Sequence, residues 1–218
     1  MRRNLKHYPI PTKDLTPDAV ILADGDFPTH SLPLSLLRKA RRVICCDGAA
    51  NEYFNQGFIP EVIVGDGDSL SPENKVRFAD IIYYSSDEHT NDLTKAVEYC
   101  ISKRMSSIVI VGATGKREDH TIGNISLLLD YMDKLDDVMI ITDYGVFTPI
   151  RKDSTFDSCV GLPVSIFSPK FAPIRGRGLK YPLSTLSSWW QGTLNEAYTS
   201  PFTLLVRDKV LVYRAFSK

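Results

Sequence analysis

Cysteine is scarce in this chain of 218 residues, and its placement suits neither disulfides nor a metal. The four cysteines, Cys45, Cys46, Cys100 and Cys159, form no CxxC pair and have no zinc-ligand spacing. Cys45 and Cys46 are adjacent inside an apolar run. The sequence therefore excludes a disulfide-stapled scaffold and a zinc-finger class, and we interpret the cysteines as reduced core residues.

The chain also lacks an excess charge and a long apolar run. Lysine plus arginine (26) equals aspartate plus glutamate (26), so no global field attracts nucleic acid or an anionic membrane. No apolar stretch approaches the roughly 20 residues of a membrane span, and the basic N-terminus lacks the apolar region of a signal peptide. These absences predict a cytoplasmic protein with no nucleic-acid or membrane partner.

What the chain does have is a row of aspartates that end apolar runs. If these runs are strands of one parallel sheet, their carboxyl ends share the edge where open α/β sheets bind ligands. A rim of carboxylates repels itself unless a cation joins it. The row therefore predicts a Mg²⁺-dependent enzyme that acts on a nucleotide. The five aspartates are Asp24, Asp47, Asp66, Asp87 and Asp143.

The periodicity predicts an α/β fold in the first part of the chain. From about residue 18 to 143, β-branched runs alternate with helical stretches, which favours a Rossmann-like, doubly wound, mostly parallel sheet. Helices are predicted after Asn91, over about 120–135 with Ile122 on the buried face, and after a Ser71 cap. The predicted strands are 19–24, 43–47, 62–66, 80–85, 107–112 and 138–142.

The helical period disappears after Asp143, and the tail reads as a small all-β sandwich. Its last two apolar runs, 202–206 and 210–213, flank a polar turn and predict a hairpin. We therefore predict two domains, an α/β nucleotide-binding catalytic domain over 1–143 and a β-sandwich domain over 144–218.

Two carboxylates, Asp66 and Asp68, lie one glycine apart directly after an apolar strand. Mg²⁺ would neutralise them while keeping waters and taking phosphate oxygens as further ligands; the alternative is an acidic turn without a ligand. Asp47 and Asp92 join this group, although both also stand where helix caps belong. The other strand-ending acids are interpreted as caps or turn residues outside the site: Asp24, Asp87 and Asp143.

The segment 112–117 resembles a phosphate cradle, because a glycine-rich turn with Lys116 and Arg117 leaves a strand and enters a helix whose amides attract anions. It lacks the Gly-Lys-Ser/Thr end of a P-loop and does not fit GxGxxG. The alternative is a flexible turn with solvated charges. His120 alone is more typical of a packed or capping histidine.

Taken together, these segments resemble the thiamine pyrophosphokinase family in order and spacing over most of the chain. The segments are Asp47-Gly48-Ala49-Ala50-Asn51, Gly65-Asp66-Gly67-Asp68-Ser69, Thr90-Asn91-Asp92-Leu93-Thr94-Lys95-Ala96, Gly112-Ala113-Thr114-Gly115-Lys116-Arg117-Glu118-Asp119-His120 with Asn124, and Gly178-Leu179-Lys180-Tyr181-Pro182-Leu183. Ala49, Gly67 and Lys116 depart from the family patterns. None of these departures removes a carboxylate or Arg117.

The resemblance implies the reaction and the assembly. The hydroxyl of thiamine attacks the β-phosphorus of ATP, the diphosphoryl group moves, and AMP leaves. It implies a homodimer in which the N-terminal domain binds ATP and the C-terminal β-sandwich helps to close the thiamine site near the subunit interface.

The same resemblance implies roles for individual residues, with Asp68 or Asp92 as the acceptor of the hydroxyl proton. The implied catalytic residues are Asp68, Asp92 and Arg117, and the implied Mg²⁺ ligands are Asp66, Asp68 and Asp92. The implied nucleotide-binding residues are Asp47, Gly48, Asn51, Gly112, Thr114, Gly115, Lys116, Asp119, His120 and Asn124. The implied thiamine-binding residues are Tyr181, Trp189, Trp190 and Asn195.

Other interpretations stay open at this point. Acidic clusters with an Asp-His pair also suit a Mg²⁺- or Mn²⁺-dependent phosphoesterase, and a nucleotide or thiamine sensor could keep the binding groups without turnover. Trp189 and Trp190 are either core residues or flat faces for a cationic heterocycle.

Overall fold

The computed structural model describes residues 5–85, 87 and 89–216. It is a mixed α/β structure with a large sheet and a β-rich C-terminal part. Contacts divide the chain into one unit of Lys13–Asp143 and another of Met1–Thr12 with Tyr144–Lys218. The segment before Lys13, which the sequence-based boundaries placed with the first domain, is thus counted with the second unit. Within the described residues, no helix has the length and apolarity needed to cross a membrane.

A short strand, β1 (Lys6–Tyr8), precedes the strands of the first unit. All the strands predicted in that unit are present within a few residues, and they pair in parallel in the order β7-β6-β2-β3-β4-β5. They are β2 (Ala19–Leu22), β3 (Val43–Cys46), β4 (Val62–Gly65), β5 (Ile82–Tyr84), β6 (Ser107–Val111) and β7 (Asp137–Ile141).

The helices of this unit begin at caps that the sequence specifies. Ser71 Oγ accepts a hydrogen bond from the Asn74 backbone N–H at 3.2 Å, and Asn91 Oδ1 accepts one from the Thr94 N–H at 2.9 Å, so both predicted caps are confirmed. The helices are α1 (Ser31–Lys39), α2 (Ala49–Asn55), α3 (Pro72–Arg77), α4 (Asp92–Ser102) and α5 (Glu118–Tyr131), with a 3₁₀ turn at Ala79–Ile81.

Two predictions about burial are wrong. Ile122, expected on the buried face of α5, is 62% exposed, because the buried residues of this helix, Leu128 and Tyr131, lie in its C-terminal half. Cys159 is exposed, whereas the other three cysteines are buried as predicted.

The strand order creates a crevice beside β2. From β2 the chain winds through β3 and β4 to β5, and then returns to the other side of β2 at β6. The loops that leave β2 and β6 therefore face each other at the carboxyl ends of the strands, where such sheets bind ligands. Backbone hydrogen bonds tie the loops together, from the Gly25 N–H to Gly112 O at 2.7 Å and from the Asp26 N–H to Thr114 O at 2.8 Å.

Asp143 was interpreted as a cap or turn residue, and the structure shows it holding the loop before α1, a helix whose N-cap is His30. Its carboxylate accepts hydrogen bonds from the Thr29 and His30 backbone N–H groups, at 2.9 and 3.0 Å, just before α1. Burial favours the protonated form, but the hydrogen bonds from Thr29 and His30 outweigh it and lower the pKa of Asp143.

These hydrogen bonds to Asp143 predict a pH-dependent contribution to stability. A carboxyl whose pKa is lowered by folding stabilises the protein above its unfolded pKa of about 3.9, and that contribution disappears as the pH falls through the folded value. We expect Asp143→Asn to reduce the free energy of unfolding by about 1 kcal/mol at pH 7. Urea unfolding at pH 7 and near pH 3 measures this. An equal difference at both pH values would contradict the assignment.

The second unit is built from strands that form two groups. One group has the order β1-β9-β13-β11 and the other β12-β10-β14-β8. Apolar side chains from both groups share one core, including Phe156, Ile166, Phe202 and Val212. The strands are β8 (Gly145–Ile150), β9 (Ser154–Phe156), β10 (Pro163–Phe167), β11 (Ile174–Arg177), β12 (Gly192–Glu196), β13 (Phe202–Val206) and β14 (Val210–Ala215).

The predicted hairpin of the last two strands is wrong. β13 pairs with β9 and β11, whereas β14 pairs with β8 and β10, so the turn at 207–209 carries the chain from one group to the other. Leu204 of β13 and Val212 of β14 are both buried in the shared core. A period of two residues shows only that each strand has a buried face, and not which strand it pairs with.

Arg214 anchors the N-terminal segment to this unit. Its guanidinium donates to the carbonyl oxygens of Tyr8 at 3.1 Å, Pro9 at 3.0 Å and Asp157 at 2.9 Å. Burial lowers the pKa of Arg214 to about 10, and the Asp157 charge opposes this effect. The strand pairing of β1 with β9 is therefore reinforced by a buried side chain near the far end of the chain.

Candidate active site

Two adjoining cavities open at the crevice of the Lys13–Asp143 unit. The first has a volume of about 460 Å³ and includes Phe27, Asn51 and Glu52 in its lining. The second has a volume of about 550 Å³ and includes Asp92 and Arg117. Both sizes fall within the range of small-molecule sites. The residues that line both cavities are Ala23, Asp24, Gly25, Ser69 and Lys116.

Asp47 is the buried member of the predicted acidic group, with 2% of its surface exposed. Its Oδ2 accepts a hydrogen bond from the Ser69 backbone N–H at 2.9 Å, while its buried Oδ1 has no partner among the described residues. Burial raises the pKa of Asp47, and the charges of Asp92, Asp66 and Asp68 add to this effect. The three neighbouring carboxylates therefore repel the charged form of Asp47, and a cation would relieve that repulsion.

Asp66 and Asp68 lie exposed on the turn after β4, outside the lining of either cavity. The Asp68 backbone N–H donates to Asp66 Oδ1 at 3.1 Å, an arrangement typical of an aspartate-initiated turn. In the part of the chain that the structure describes, no three histidine, cysteine, aspartate or glutamate side chains are grouped to hold a metal ion. The predicted ligands are thus not assembled into a three-carboxylate site.

Asp92 opens α4 and lines the second cavity, and its partner is a lysine that the sequence analysis did not assign. Lys95 Nζ donates to Asp92 Oδ1 at 3.0 Å, and only 8% of the Lys95 side chain is exposed. Burial lowers the pKa of Lys95, but the hydrogen bond and charge of Asp92, together with Asp66 and Asp87, raise it overall. The three-residue spacing of Asp92 and Lys95 on a predicted helix is the sequence pattern that indicates this ion pair.

Removing the ammonium group of Lys95 should leave Asp92 without the buried positive charge that it is paired with. We expect Lys95→Met to lower the free energy of unfolding by about 2 kcal/mol, the scale of a hydrogen bond to a charged group. Added Mg²⁺ should restore more stability in this variant than in the parent, because it supplies the missing positive charge. Urea unfolding with and without Mg²⁺ measures both effects.

Lys134→Met is the matched control for that measurement. Lys134 forms an exposed pair with Glu98 at 3.3 Å and lines neither cavity, so its loss should change stability little and leave the Mg²⁺ effect unchanged. Equal behaviour of the two lysine variants would contradict a special role for Lys95.

The glycine-rich turn after β6 has the backbone that its sequence requires. Gly112 and Gly115 have φ values of 65° and 85°, in the left-handed region that favours glycine. A side chain at Gly115 would also collide with the Asp26 carboxylate. The turn can therefore approach the loop after β2 closely, which narrows the crevice at this point.

Arg117 leaves this turn as the partner of Asp119. Its Nε donates to Asp119 Oδ1 at 3.1 Å and its NH2 group to Oδ2 at 2.6 Å. This hydrogen bonding lowers the pKa of Asp119 to about 2. Asp119 is therefore an ionised support for Arg117, and both residues line the second cavity.

Two asparagines that were predicted to bind nucleotide also connect the elements around the cavities. Asn124 Nδ2 donates to Ala113 O at 3.0 Å, and its Oδ1 accepts from Asn91 Nδ2 at 3.2 Å. Asn51 Nδ2 donates to Ser69 O at 2.8 Å, which ties α2 to the acidic turn.

The remaining predicted nucleotide residues are divided among the cavities and the turn. Gly48 lines the first cavity, and a side chain there would meet Asp24. His120 lines the second cavity, whereas Gly112 and Thr114 belong to the same turn as Gly115 without lining either cavity.

Asp24 was interpreted as a cap or turn residue outside the site, whereas the structure places it in the lining of both cavities. Lys116 Nζ donates to Asp24 Oδ1 at 2.7 Å, and both residues line both cavities. Asp87, in contrast, accepts from the His89 N–H and the Thr90 hydroxyl, at 2.8 and 2.6 Å, which confirms it as a turn residue.

The residues predicted to bind thiamine lie in the second unit. Tyr181, Trp189 and Trp190 are 54%, 52% and 57% exposed, so the two tryptophans are not core residues. Asn195 is buried, and its carboxamide accepts from the Tyr181 N–H at 3.1 Å and donates to the Tyr181 carbonyl at 2.9 Å. Its side chain therefore holds the backbone that carries the Tyr181 ring.

Comparisons with known proteins identify the family of this chain. A model of the thiamin pyrophosphokinase catalytic domain matches residues 34–141, and a model of the thiamin pyrophosphokinase substrate-binding domain matches residues 145–213. The chain belongs to the thiamine pyrophosphokinase family. The resemblance seen in the sequence motifs is confirmed, and the first match contains most of the cavity lining, although β2 and the loop after it precede residue 34.

The chain is also similar to curated relatives and to solved structures. Thiamin pyrophosphokinase 1 of Caenorhabditis elegans is 27% identical over 186 residues, which cover 76% of this chain and 75% of that protein. Thiamine pyrophosphokinase 1 of rice is 31% identical over 166 residues, covering 64% of this chain and 62% of the rice protein, less than two thirds of its length. Thiamin pyrophosphokinase from Candida albicans has the same fold, with a TM-score of 0.80 at 19% identity over 100% of this chain and 95% of that chain.

Proposed function

We propose that this member of the thiamine pyrophosphokinase family catalyses the transfer of the diphosphoryl group of ATP to the hydroxyl of thiamine, giving thiamine diphosphate and AMP. The observation that carries the proposal is the second cavity, where Lys116 and Arg117 share one lining with Asp92 at the carboxyl ends of the strands. A polyphosphate with a divalent cation matches this combination of cations and carboxylates.

The two units have different roles in this proposal. The Lys13–Asp143 unit is a Rossmann-like, doubly wound nucleotide-binding domain, and the described part of the second unit, 5–12 with 144–216, is a β-sandwich that binds thiamine. The exposed rings of Tyr181, Trp189 and Trp190 support the second role, because flat aromatic faces attract a cationic heterocycle. A homodimer with the thiamine site near its interface completes the proposal, on the strength of the family resemblance.

Phosphoryl transfer needs mainly positioning and charge neutralisation. Arg117 uses two of its N–H donors on Asp119 and keeps others for phosphate oxygens. Lys116 and the first amides of α5 add positive charge in the same region. Asp68 or Asp92 accepts the proton of the thiamine hydroxyl as the bond to phosphorus forms.

The acidic residues fit a divalent cation. The unpartnered Oδ1 of Asp47 and the repulsion of Asp47 by its acidic neighbours both favour such an ion. Mg²⁺ commonly keeps several waters and takes one or two carboxylates with substrate phosphates, so a preassembled three-carboxylate group is unnecessary. Asp66, Asp68 and Asp92 would hold the ion, which when bound neutralises charge on the triphosphate.

The test is to incubate the protein with ATP and Mg²⁺, with and without thiamine, and to follow the phosphorus species by NMR. The proposal predicts thiamine diphosphate and AMP in equal amounts, only with thiamine present, and no reaction after a chelator is added. Inorganic phosphate formed regardless of thiamine would indicate a phosphoesterase. Bound ATP without any product would indicate a sensor.

A further inference from the structure

We propose that Asp24 is a positioning residue that competes with the phosphate chain of the nucleotide for Lys116. This inference rests on the proposed function, because it assigns a second residue to the recognition of the same phosphate chain. Before the nucleotide binds, Asp24 holds the ammonium group at the junction of the two cavities. When the phosphates arrive, Lys116 transfers its hydrogen bond to them.

The ion pair of Asp24 and Lys116 lies at the junction of the two cavities. Asp24 follows β2 and Lys116 lies in the turn after β6, and these neighbouring strands flank the crevice. The side chains meet at 2.7 Å, and each of them lines both cavities. Any ligand that extends from one cavity into the other must therefore pass this ion pair.

The backbone of Lys116 has an unfavourable conformation for a residue with a side chain. Its φ of 54° lies in the left-handed region, where a residue with a side chain is strained and glycine is not. The neighbouring Gly115 shows that the turn tolerates glycine. This strained backbone position places the Lys116 ammonium group at the cavity junction, where a bound phosphate chain can reach it.

The ion pair of Asp24 and Lys116 is partly exposed to solvent. The side chains of Lys116 and Asp24 are 53% and 45% exposed, so the ion pair is weak and can exchange its partners. A phosphate chain brings several negative charges and more acceptor oxygens than one carboxylate, so it outcompetes Asp24 for the ammonium group. Because the ion pair must break before Lys116 can bind the phosphates, Asp24 lowers the affinity for them through Lys116.

Calorimetric titration of the full-length protein tests this, with ATP, inorganic triphosphate and adenosine as separate ligands in Mg²⁺ without thiamine. Asp24→Asn should bind ATP and triphosphate about fivefold more tightly, the scale of one exposed ion pair, and adenosine unchanged. Lys116→Met should weaken the binding of both phosphate ligands. The double variant should match Lys116→Met, because Asp24 acts only through Lys116.

Steady-state kinetics distinguish this role from a merely structural one. Asp24→Asn should lower the KM for ATP and leave the KM for thiamine unchanged. Glu98→Gln is the matched control, since it removes the acceptor of the exposed Lys134 pair on α4 away from both cavities. It should change neither affinity.

The outcomes separate this inference from the proposed function. If the parent protein binds ATP and forms product, but Asp24→Asn binds ATP equally or more weakly, the inference about Asp24 is overturned and the function stands. If the parent protein binds neither ATP nor triphosphate, both are overturned. A gain of affinity in the double variant equal to that in Asp24→Asn would show that Asp24 acts without Lys116, which also overturns it.

Discussion

Asp68→Asn should reduce turnover by at least about a hundredfold while the protein stays folded. Asp68 lies exposed on the turn after β4, and asparagine keeps its volume while removing its charge. The charge matters because it belongs to the field that raises the pKa of Asp47 and that a divalent cation would neutralise. Steady-state kinetics of thiamine diphosphate formation and urea unfolding of the same preparation give the two required readouts.

Asp80→Asn is the matched control for this variant. Asp80 is an exposed acid in the 3₁₀ turn Ala79–Ile81 and lines neither cavity, so it controls for the loss of one negative charge. Its activity should stay at the parent level. Near-normal activity of Asp68→Asn under the same conditions would remove Asp68 from the proposed site.

Arg117→Gln should lower kcat/KM for ATP by about a hundredfold or more, comparable to the loss of a donor that stabilises developing charge. Arg117 lines the second cavity and is held there by the two hydrogen bonds to Asp119. Lysine at this position should restore only part of the activity, because it cannot form the paired hydrogen bonds of a guanidinium group. Steady-state kinetics of the two variants measure this order.

The same substitution has a spectroscopic consequence. Hydrogen bonding from Arg117 lowers the pKa of Asp119 to about 2, so removing Arg117 should return that pKa towards the ordinary value of about 3.9. NMR titration of the Asp119 carboxyl measures the change. Arg42→Gln, which removes a cation paired with Glu61 away from the cavities, should leave Asp119 and kcat/KM unchanged. An unchanged Asp119 pKa in Arg117→Gln would contradict the pairing.

The sequence predicted what depends on local pattern. The strands β2, β3 and β4 are short β-branched runs whose burial shows directly in their composition, and the Ser71 and Asn91 caps depend on contacts within three residues. Such features arise from the chemistry of neighbouring residues, so a single sequence contains them.

Features that depend on distant pairing were not predicted. Leu204 and Val212 belong to two successive apolar runs that resemble the strands of a hairpin. Each run pairs instead with strands from elsewhere in the chain. Ile122 continues the apolar face of α5, although only the C-terminal half of that helix is buried. In each case periodicity identified an apolar face without identifying what covers it.

The candidate site shows the same division. The motif order predicted the residues that line the second cavity, including Asp92, Arg117 and Asn124. Asp24 was not assigned to the site, because its partner Lys116 lies 92 positions away and meets it only after β2 and β6 pair. Lys95 was passed over because its role becomes visible only when its burial among the acids is known.

The central claim is that the diphosphoryl group moves intact from ATP to thiamine. Supplying ATP labelled in its γ-phosphate, together with Mg²⁺ and thiamine, tests this most directly. The account predicts that the label appears in the terminal phosphate of thiamine diphosphate, with an equal amount of unlabelled AMP. Label recovered as inorganic phosphate, with no thiamine diphosphate formed, would contradict it.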